Sequence, residues 1–461
     1  MSESPARPAS PPHLIRTLAA VIVGSLLLRA AAGAMGENIQ FYFNAIHAAF
    51  LYPNHPLRAI AGAGNVYPIS YTLGGMIIGS FFIAELLGAL VLGAWSDRFG
   101  RKWFIILGPI FGLVAVLITS VTTAVWLLVL TRLLEGLSTA SNAPATLGFI
   151  AESTSESPKL RSRIAGLFEI GTIGGIAIGF SLGGWLWRTF GTAARVAGIP
   201  FTSPAFAVNS LVYLGSLIVL WTGFHRVKEI RRASAVPSIS PGETLRRYWR
   251  ILRSPRVAGF APAWIAINAV LGIWINLTAR ILTDKSGFPN QILVGQFDSF
   301  TAGNVRAIYA IFFILGILVW SIFFPTLQKT TTMLIGSAGL IVSCLLIFGI
   351  NHQPALSAPW VFPLSILLVI SIMVQSGFTP AALAHLADIT ETHETDRGAI
   401  MGLYSVFLGL GQFLGASLGG IFVDWRGADG MALITGLLGV FAAMLVIRSR
   451  ISDSATQFST H

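Results

Sequence analysis

Residues Pro144–Gly184, which read PATLGFIAESTSESPKLRSRIAGLFEIGTIGGIAIGFSLGG, recur 236 positions later as Pro380–Gly420, PAALAHLADITETHETDRGAIMGLYSVFLGLGQFLGASLGG. Fifteen of the 41 positions are identical and no gap is needed, with the longest identical run at Ser181–Gly184 and Ser417–Gly420. The match begins in an apolar stretch, crosses a polar loop and continues into the next apolar stretch. A unit of about half the chain is therefore present twice.

Composition places this duplicated chain in a membrane. Hydrophobic residues make up 54% of the 461 residues and charged residues 11%, whereas an ordinary soluble domain has roughly 25% charged residues. Apolar windows of about 20 residues, long enough to cross the hydrocarbon layer as helices, occur twelve times. The predicted spans are 14–36, 68–95, 103–123, 125–150, 163–187, 203–224, 258–282, 306–326, 331–351, 361–386, 398–423 and 428–446. The sequence thus predicts an all-α membrane protein of two pseudo-symmetric six-helix bundles, an arrangement typical of transporters with a site between the copies.

The excess of positive charge follows this span map. The net charge is +11 and, with the N-terminus inside, the inner segments carry 21 Lys and Arg, the outer segments six and the spans three. Cytoplasmic loops carry such an excess, so we predict a multi-pass protein of the inner (plasma) membrane with both termini cytoplasmic. The largest basic block, between Arg226 and Arg256, is better explained by topology and lipid headgroups than by nucleic acid. We therefore expect the lipid bilayer as a partner and no nucleic acid.

The span positions divide the chain into five parts. These are a cytoplasmic tail at 1–13, an N-terminal six-helix bundle at 14–224, a cytoplasmic basic linker at 225–257, a C-terminal six-helix bundle at 258–446 and a cytoplasmic tail at 447–461. The only cysteine, Cys344, falls inside the ninth span, which excludes an intrachain disulfide. The sequence has no phosphate-binding loop, no HExxH and no metal-ligand spacing among its eight histidines. We predict no enzymatic activity, no cofactor and no metal site.

Glycines recur at four-residue intervals in the fifth span and in its copy. They are Gly171, Gly175, Gly179 and Gly183, and then Gly411, Gly415 and Gly419. A ridge without side chains lets another helix approach closely, so we expect these ridges to be the surfaces on which the halves rock. A second echo, Ala63–Val66 before the second span and Ala302–Val305 before the eighth, predicts equivalent Gly-Asn turns at two helix starts.

A short polar loop between the second and third spans carries the most specific motif of the chain. It reads Gly93-Ala94-Trp95-Ser96-Asp97-Arg98-Phe99-Gly100-Arg101-Lys102, and it resembles the GxxxDRxGRK signature of the major facilitator superfamily. With twelve spans, a basic central linker and the duplication, the resemblance extends over nearly the whole chain. It implies the fold of that superfamily and an inner-gate motif. The residues of this motif are Gly93, Asp97, Arg98, Gly100, Arg101 and Lys102.

The resemblance also implies partners for two residues of this loop. Asp97 would face the N-terminus of the eleventh span, near Asp396–Gly398, where the helix dipole favours a carboxylate. Arg101 would pair with Glu152 at the inner end of the fourth span. These contacts would join the halves on the inner side and break when the inner gate opens. The corresponding loop between the eighth and ninth spans, Pro325–Thr330, lacks the motif, so the latch would be one-sided.

Two further elements resemble motifs of proton-coupled and exporting members of the superfamily. The run Leu128–Gly136 follows LxxxRxxQG, with Glu135 in place of glutamine. The run Gly175–Gly184 follows GxxxGPxxGG, but Phe180 stands at the proline position and Ala416 stands there in the copy. The chain therefore resembles the drug and metabolite:proton antiporters, with one of their elements altered in both halves.

Five charged residues lie well inside predicted spans, where a charge is expensive unless it faces a partner or a wet cavity. They are Arg29, Glu85, Arg132, Glu135 and Glu169. Depth along the helices predicts a middle-to-outer cluster of Arg29, Arg132 and Glu135, and leaves Glu85 and Glu169 without a cation at their depth. A carboxylate without a basic partner in hydrocarbon takes up a proton more readily. Glu169, Glu85 and Glu135 are therefore the candidates for proton coupling.

Structural explanations compete with these assignments. A neutral Glu169 or Glu85 would also serve as a hydrogen-bonding residue toward a facing helix. Arg132 and Glu135 are three residues apart and would satisfy each other along one helix. Because Glu169 corresponds to Ser405 in the copy, its carboxylate is a feature of one half only, which favours a role in coupling.

Polar and aromatic residues in both halves are candidates for the substrate cavity. They are Arg29, Arg132, Trp264, Asn268, Asn276 and Gln375. The two arginines would suit an anionic solute, and each of the others is equally well explained as a packing residue. Near the outer edges of the first and seventh spans, Glu37 and Arg280 either take part in gating or extend toward the headgroups. His385 is either a proton relay or a surface residue at the end of the tenth span.

The hypothesis that these observations favour is a secondary active transporter that moves a small organic solute by alternating access, with proton-coupled export as its leading activity. The sequence also allows a proton-linked importer or a facilitator of a polar or anionic metabolite. From another class, a non-transporting membrane sensor with the same fold would share these features. The expected partners are a small-molecule solute, protons and the bilayer, with a monomer as the default oligomeric state.

Overall fold

The computed structural model describes residues 12–155, 157–224, 255–285, 288–323, 326–391 and 397–458, together with isolated positions between 246 and 253. Most of these residues are helical. The strands in this part of the chain are Ala194–Val196 and Ile199–Phe201, which pair antiparallel as a short hairpin. The fold is therefore a helical one, as predicted from the sequence.

Twelve long helical crossings follow one another within the described residues, and we number them α1 to α12 by crossing. They are α1 Pro12–Leu51, α2 Tyr71–Phe99, α3 Arg101–Thr119, α4 Val125–Ser153, α5 Pro158–Phe190, α6 Pro204–Phe224, α7 Pro255–Thr283, α8 Ser299–Phe323, α9 Lys329–Asn351, α10 Val361–Gln375 continued by Phe378–Glu391, and α11 with α12 inside Arg397–Phe458. The last two crossings are separated at Gly427, where φ is 61° and the helix breaks. A residue without a Cβ adopts this conformation most easily.

Length and composition identify ten segments that are able to cross a membrane. One of them, Val406–Arg450, contains both α11 and α12. The crossing outside this set is α4, because its polar residues lower its mean hydropathy. Large apolar side chains on the outward faces of other helices are exposed, with 70% for Ile170, 72% for Ile322 and 75% for Phe362. Such a surface suits contact with lipid rather than water.

The first helix is longer than its predicted span, which ended at residue 36. It continues to Leu51 because Glu37, Gln40 and Asn44 turn their polar side chains toward the other half of the protein. They satisfy their hydrogen-bonding groups there instead of in a water-exposed loop.

The predicted equivalence of the two Gly-Asn turns is wrong. Ala63–Asn65 forms a 3₁₀ turn before α2, whereas Ala302–Val305 lies inside α8. The side chain that caps α2 is Ser70, whose Oγ accepts a hydrogen bond from Leu73 N at 3.0 Å. Gly303 instead serves packing, because a side chain at this position would collide with the backbone of Phe180.

Pseudo-symmetry relates the two halves, α1–α6 and α7–α12, at the level of individual contacts. Gly175 on α5 lies against Arg29 and Ala30 of α1, and its copy Gly411 on α11 lies against Asn268 and Ala269 of α7. Arg29 and Asn268 therefore occupy equivalent positions in the two halves.

The glycine ridges pack inside the halves, so the prediction that the halves rock on them is wrong. The ridge of α5 lies on α1 and the ridge of α11 lies on α7. Most contacts between the halves are made instead by two other antiparallel helix pairs. Gly75 of α2 lies against Ala416 of α11, and Gly184 of α5 lies against Ser299 of α8. The pairs α2–α11 and α5–α8 therefore form the boundary on which the halves can move.

Candidate functional site

We call the side of the bundle at which α1 begins the inner side, and the opposite side the outer side. The outer side is closed by buried polar contacts between the halves. Glu37 on α1 forms an ion pair with Arg306 on α8, and their side chains are 0% and 6% exposed. Arg306 also donates to the Ile275 carbonyl, and its guanidinium carbon lies 4.0 Å from the centre of the Phe180 ring. Glu37 is thus buried between the halves and does not extend toward the headgroups.

Arg280 on α7 makes a second set of contacts across the boundary. Its Nη1 donates to the Ser70 carbonyl at 2.8 Å, and its Nη2 donates to the Ile69 carbonyl. Its Nε donates to Asn44 Oδ1 at 3.1 Å, and the guanidinium lies 4.1 Å from the centre of the Tyr71 ring. Arg280 therefore ties α7 to α1 and to the residues that precede α2.

Asp424, near the outer end of α11, makes the third set. Its carboxylate accepts hydrogen bonds from Tyr71 N at 2.7 Å, Thr72 N at 2.8 Å and Thr72 Oγ1 at 2.6 Å. These groups belong to the first turn of α2, where free N–H groups and the helix dipole favour an anion. These three sets of contacts together close the outer side.

Arg29 lies among polar groups from three other helices. Electrostatic interactions join its guanidinium to Glu85 on α2 and to Glu169 on α5, and its Nη1 donates to Thr139 Oγ1 on α4 at 3.3 Å. Glu85 is partly buried and Glu169 is exposed. Glu169 precedes Phe180 by about three turns of helix, so it faces the boundary with α8 as Phe180 does.

The prediction that Glu85 and Glu169 have no cation at their depth is therefore wrong. The prediction measured the depth of each residue from the ends of the predicted spans, which differ from the actual ends of the helices. With α1 running from Pro12 to Leu51, Arg29 is close to its middle. Glu85 is the central residue of α2, equally far from both of its ends. The side chains of Arg29 and Glu85 therefore meet at the same level.

Arg132 and Glu135 form an ion pair one turn apart on α4, with side chains 3% and 2% exposed. Tyr213 on α6 donates its hydroxyl to Glu135 Oε1 at 2.9 Å. Tyr213 also interacts electrostatically with Arg29, so it connects this pair to the cluster around Arg29. The predicted grouping of Arg29, Arg132 and Glu135 is therefore present, with a tyrosine between its members. The pair itself is packed inside the N-terminal half.

Two candidates of the predicted substrate cavity lie on α7 next to each other. Asn268 is buried against Gly411, and its Nδ2 donates to the Trp264 carbonyl at 2.9 Å. Asn268 Oδ1 has no hydrogen-bond partner among the described residues. Trp264 is buried and stacks on Phe260, with ring centres 6.5 Å apart. The unsatisfied amide oxygen of Asn268 is the feature that suits a hydrogen-bond donor of a solute.

The other two candidates are bonded within the C-terminal half. Asn276 donates its Nδ2 to the Gly272 carbonyl at 2.7 Å. Gln375, at the interruption of α10, donates its Nε2 to the Tyr309 hydroxyl at 3.2 Å. In the described part of the chain, Gln375 Oε1 also lacks a hydrogen-bond partner. Among the four uncharged candidates, Gln375 and Asn268 thus each have a fully buried amide oxygen without a hydrogen-bond partner in the described residues.

The inner loop brings its arginine against two carboxylates. Arg101 Nη2 lies 2.6 Å from Asp97 Oδ1, and Arg101 Nε lies 2.9 Å from Glu152 Oε1. A side chain at Gly148 of α4 would collide with this guanidinium. The glycine therefore leaves space for Arg101 to reach Glu152. The expected pair of Arg101 and Glu152 is present. Asp396, at the expected partner position of Asp97, lies outside the described residues.

The remaining residues of the motif shape the turn between α2 and α3. Gly100 has a φ of 102° and both ends α2 and begins α3. Ser96 Oγ donates to the Gly93 carbonyl at 2.7 Å. The charges of Arg98 and Lys102 lie over the neighbouring rings of Phe99 and Trp103, at 5.5 Å and 5.7 Å from the ring centres. These contacts hold two basic groups beside the end of α2.

His385 is partly buried, with its ring edge against Phe260 at 5.1 Å between ring centres. Three important partners were absent from the sequence prediction, namely Tyr213, Arg306 and Asp424. Arg306 was placed at the edge of a span, and Asp424 was placed beyond one. The duplication contained a signal for Asp424. Arg188, 236 positions earlier in the first copy, has the opposite charge.

The arrangement of two six-helix halves around a polar cluster, joined at the outer side by buried polar contacts, matches a known family. The family model of the Major Facilitator Superfamily fits residues 17–297 and 286–457. The chain belongs to the major facilitator superfamily. The resemblance carried by the loop Gly93–Lys102 is thereby confirmed, as is the fold of two pseudo-symmetric bundles.

Individual relatives of this transporter have different cargoes in their names. The chain is 26% identical over 380 residues to Multidrug resistance protein 2 of Bacillus subtilis, which covers 82% of this chain and 87% of that protein. It is 21% identical over 431 residues to the glucose transporter GlcP of Staphylococcus epidermidis, with 90% and 92% covered. Neither name is that of an enzyme.

A solved structure shows the same fold. The bacterial homologue of the human lysosomal transporter Spinster, in an inward-facing and unoccupied conformation, superposes with a TM-score of 0.69 at 15% identity. The superposition covers 95% of this chain and 97% of that one. With ten segments able to cross a membrane and the fold of this family, the transporter is a multi-pass membrane protein.

Proposed function

We propose that this transporter exports a small organic solute in exchange for protons. The observation that carries the proposal is the electrostatic interaction of Arg29 on α1 with two carboxylates on other helices, Glu85 and Glu169. Similarity to Multidrug resistance protein 2 over 82% of the chain supports the export of organic compounds.

The charges of this cluster suit an exchange of cation for proton. One guanidinium and two carboxylates have a net charge of −1, and the ion pair of Arg132 and Glu135 adds no net charge. A single proton or a single organic cation neutralises the cluster, so the two compete for it. Binding of one would release the other, which is the requirement for coupling.

Glu169 is the carboxylate to which we assign the proton. Its side chain is exposed while that of Glu85 is partly buried, so water from the inner side reaches Glu169 first. Glu85, at the middle of α2, would remain the partner of Arg29 through the cycle. In the C-terminal half the equivalent of Glu169 is Ser405, which has no titratable group.

Transport in everted membrane vesicles tests this assignment. Ethidium, an aromatic monocation, serves as the probe, and the readout is collapse of a preformed proton gradient when it is added. We expect the gradient to collapse with the unaltered protein and with the control variant Asp429→Asn. Asp429 is a carboxylate at the outer side whose hydrogen bonds stay within the C-terminal half. We expect Glu169→Gln to show no collapse of the gradient, because its cluster is neutral without a proton. Retained coupling in Glu169→Gln would contradict the proposal.

A second candidate is proton-linked uptake or facilitated passage of a polar metabolite. It is favoured by the two amides with a free acceptor, Asn268 and Gln375, and by similarity to the glucose transporter GlcP. Radiolabelled glucose in right-side-out vesicles distinguishes the two candidates. Accumulation there, with no response to ethidium in everted vesicles, would favour the second.

We also propose that both termini are cytoplasmic, on the basis of the positive-inside asymmetry of the loops. An alkaline phosphatase fused after residue 461 would then be inactive, and a fluorescent protein fused there would be bright. The opposite pair of results would reverse the orientation and place the side at which α1 begins outside the cell.

A further inference from the structure

Helices α2 and α11 run antiparallel across the boundary between the halves in a constant register. Gly75 lies against Ala416, Gly79 lies against Phe413, and Tyr71 lies against Gly420. Each step along one helix is therefore matched, to within one residue, by a step back along the other. The start of α2 faces the end of α11, and the end of α2 faces the start of α11.

The two helices are closest at the outer side and separate toward the inner side. A methyl group at Gly75 or Gly420 would collide with backbone atoms of the other helix, and one at Gly79 would lie 2.8 Å from the Phe413 ring. Farther inward, a methyl group at Gly409 would lie 3.5 Å from the Phe82 carbonyl, an ordinary contact. The pair is therefore closed at its outer end and looser at its middle.

Each helix carries an aspartate near its C-terminal end, at the same spacing. Tyr71 and Asp97 are as far apart along α2 as Gly398 and Asp424 are along α11. Asp424 caps the first turn of α2 with three hydrogen bonds. By the same register, Asp97 is brought opposite the first turn of α11 when the inner ends approach.

We propose that Asp424 is a latch at the outer end of this helix pair, reciprocal to the inner latch that the family resemblance implies for Asp97. Asp424 caps α2 when the outer side is closed, and Asp97 caps α11 when the inner side is closed. The structure holds the first of these states, since the Asp97 side chain is 63% exposed and is bonded to Arg101 within its own half. Because the two caps are made in opposite states, their relative strength sets the resting distribution between them.

The other boundary pair, α5–α8, lacks this device. The residue of α5 that corresponds to Asp424 is Arg188, and it interacts with Asp298 at the start of α8. Burial would raise the pKa of Asp298, but hydrogen bonds from Thr301 and Phe300, together with Arg188, hold that pKa below its usual value. The carboxylate there caps its own helix and meets the Arg188 side chain across the boundary, whereas the Asp424 carboxylate caps the first turn of the other helix.

Distances between spin labels on the purified full-length protein test the proposal without any solute. In a Cys344→Ser background, labels at Trp126→Cys and Trp360→Cys report on the outer side, and labels at Trp103→Cys and Phe323→Cys report on the inner side. All four positions are exposed. We expect Asp424→Ala to raise the ratio of outer-open to outer-closed molecules about tenfold, a typical effect of losing a helix cap. Asp97→Ala should shift the ratio in the opposite direction, and the double variant should lie between the two.

Asp429→Ala is the matched control. Asp429 follows Asp424 at the same side, but it bonds to Asn351 and His352 of its own half. If Asp424→Ala leaves the outer distances unchanged, or shifts them only as Asp429→Ala does, the proposal is wrong. Should Asp424→Ala fail to fold, Asp424→Asn removes the charge at nearly constant size and is expected to shift the ratio in the same direction. Loss of proton coupling has no bearing on this test, because no gradient is applied.

Discussion

At the residue scale, the buried pair of Arg132 and Glu135 shows how a charge can be structural. Both side chains are withdrawn from solvent, and Tyr213 completes the hydrogen bonding of Glu135. The attraction between the two charges offsets much of the free energy needed to remove them from water. Either charge alone would be buried without that compensation. This distinguishes the pair from Glu169, which is exposed.

We therefore expect Arg132→Met to lower the free energy of unfolding by about 3–5 kcal/mol, because it leaves a buried carboxylate unpaired. The double variant Arg132→Met, Glu135→Gln should recover most of that loss, since a neutral amide can still accept from Tyr213. Unfolding of the purified proteins in detergent, followed by tryptophan fluorescence, measures both. A double variant no more stable than the single one would argue against a structural pair.

The sequence located the charges of the site but not their partners. Arg29, Glu85 and Glu169 stand out in any apolar span, because a charge there needs a reason. Which of them meet depends on the true ends and the rotation of the helices, and these are decided by tertiary packing. Tyr213 and Asp424 were missed because one is uncharged and the other lies in a region predicted to be a loop.

At the element scale, glycine decides which helices come close. The α5 ridge brings α1 so near that a methyl group at Gly175 would collide with the Leu26 carbonyl and Arg29 Cβ, while a methyl group at the adjacent Gly174 would meet no atom within 4 Å. Two neighbouring glycines therefore have different roles. One permits close packing, and the other lies at a free surface of the helix.

This difference gives a matched comparison. Gly175→Ala should destabilise the protein by about 1–3 kcal/mol through overpacking, seen as a lower melting temperature in detergent. Gly174→Ala should be neutral or slightly stabilising, because alanine favours helix. Equal melting temperatures for the two variants would mean that α5 can move away from α1 without cost.

Helix existence was predictable from apolar length, but some boundaries were not. The predicted first span ended at residue 36, but Glu37 and Gln40 lie beyond it inside the helix and are buried. Polar residues continue a membrane helix when another helix supplies their partners. The sequence of α1 alone contains no information about α7 and α8, which supply them.

At the scale of the whole molecule, the halves meet at the outer side through polar and charged groups. Glu37 with Arg306, Arg280 with the start of α2, and Asp424 with the same helix are all contacts between halves. Such contacts exchange readily with water when the halves separate, unlike a large apolar interface. The boundary is therefore suited to repeated opening.

A covalent link across this boundary should stop the cycle. Asn44 Nδ2 on α1 donates to Thr283 Oγ1 on α7 at 3.1 Å, so cysteines at both positions in a Cys344→Ser background should form a disulfide. We expect oxidation to abolish transport of the solute and reduction to restore it, with each single cysteine variant insensitive to oxidant. Transport that persists after complete cross-linking would show that the outer side need not open.

Duplication and twelve spans were enough to predict the two halves, because each half repeats the same contacts. The closed side was not predictable. The same sequence must form both the inward-facing and the outward-facing arrangement, and the difference between them is a few kilocalories per mole, set by contacts such as that of Asp424 with Thr72.

The charges of the central cluster, Arg29, Glu85 and Glu169, all belong to the N-terminal half, and the uncharged Asn268 occupies the place of Arg29 in the other. A membrane potential does work on a charge that moves through it, about 2.3 kcal/mol per elementary charge and 100 mV. The electric field therefore acts at this level on one half of the carrier. The deprotonated cluster, at −1, would be driven by voltage, whereas the protonated one would return at a rate independent of it.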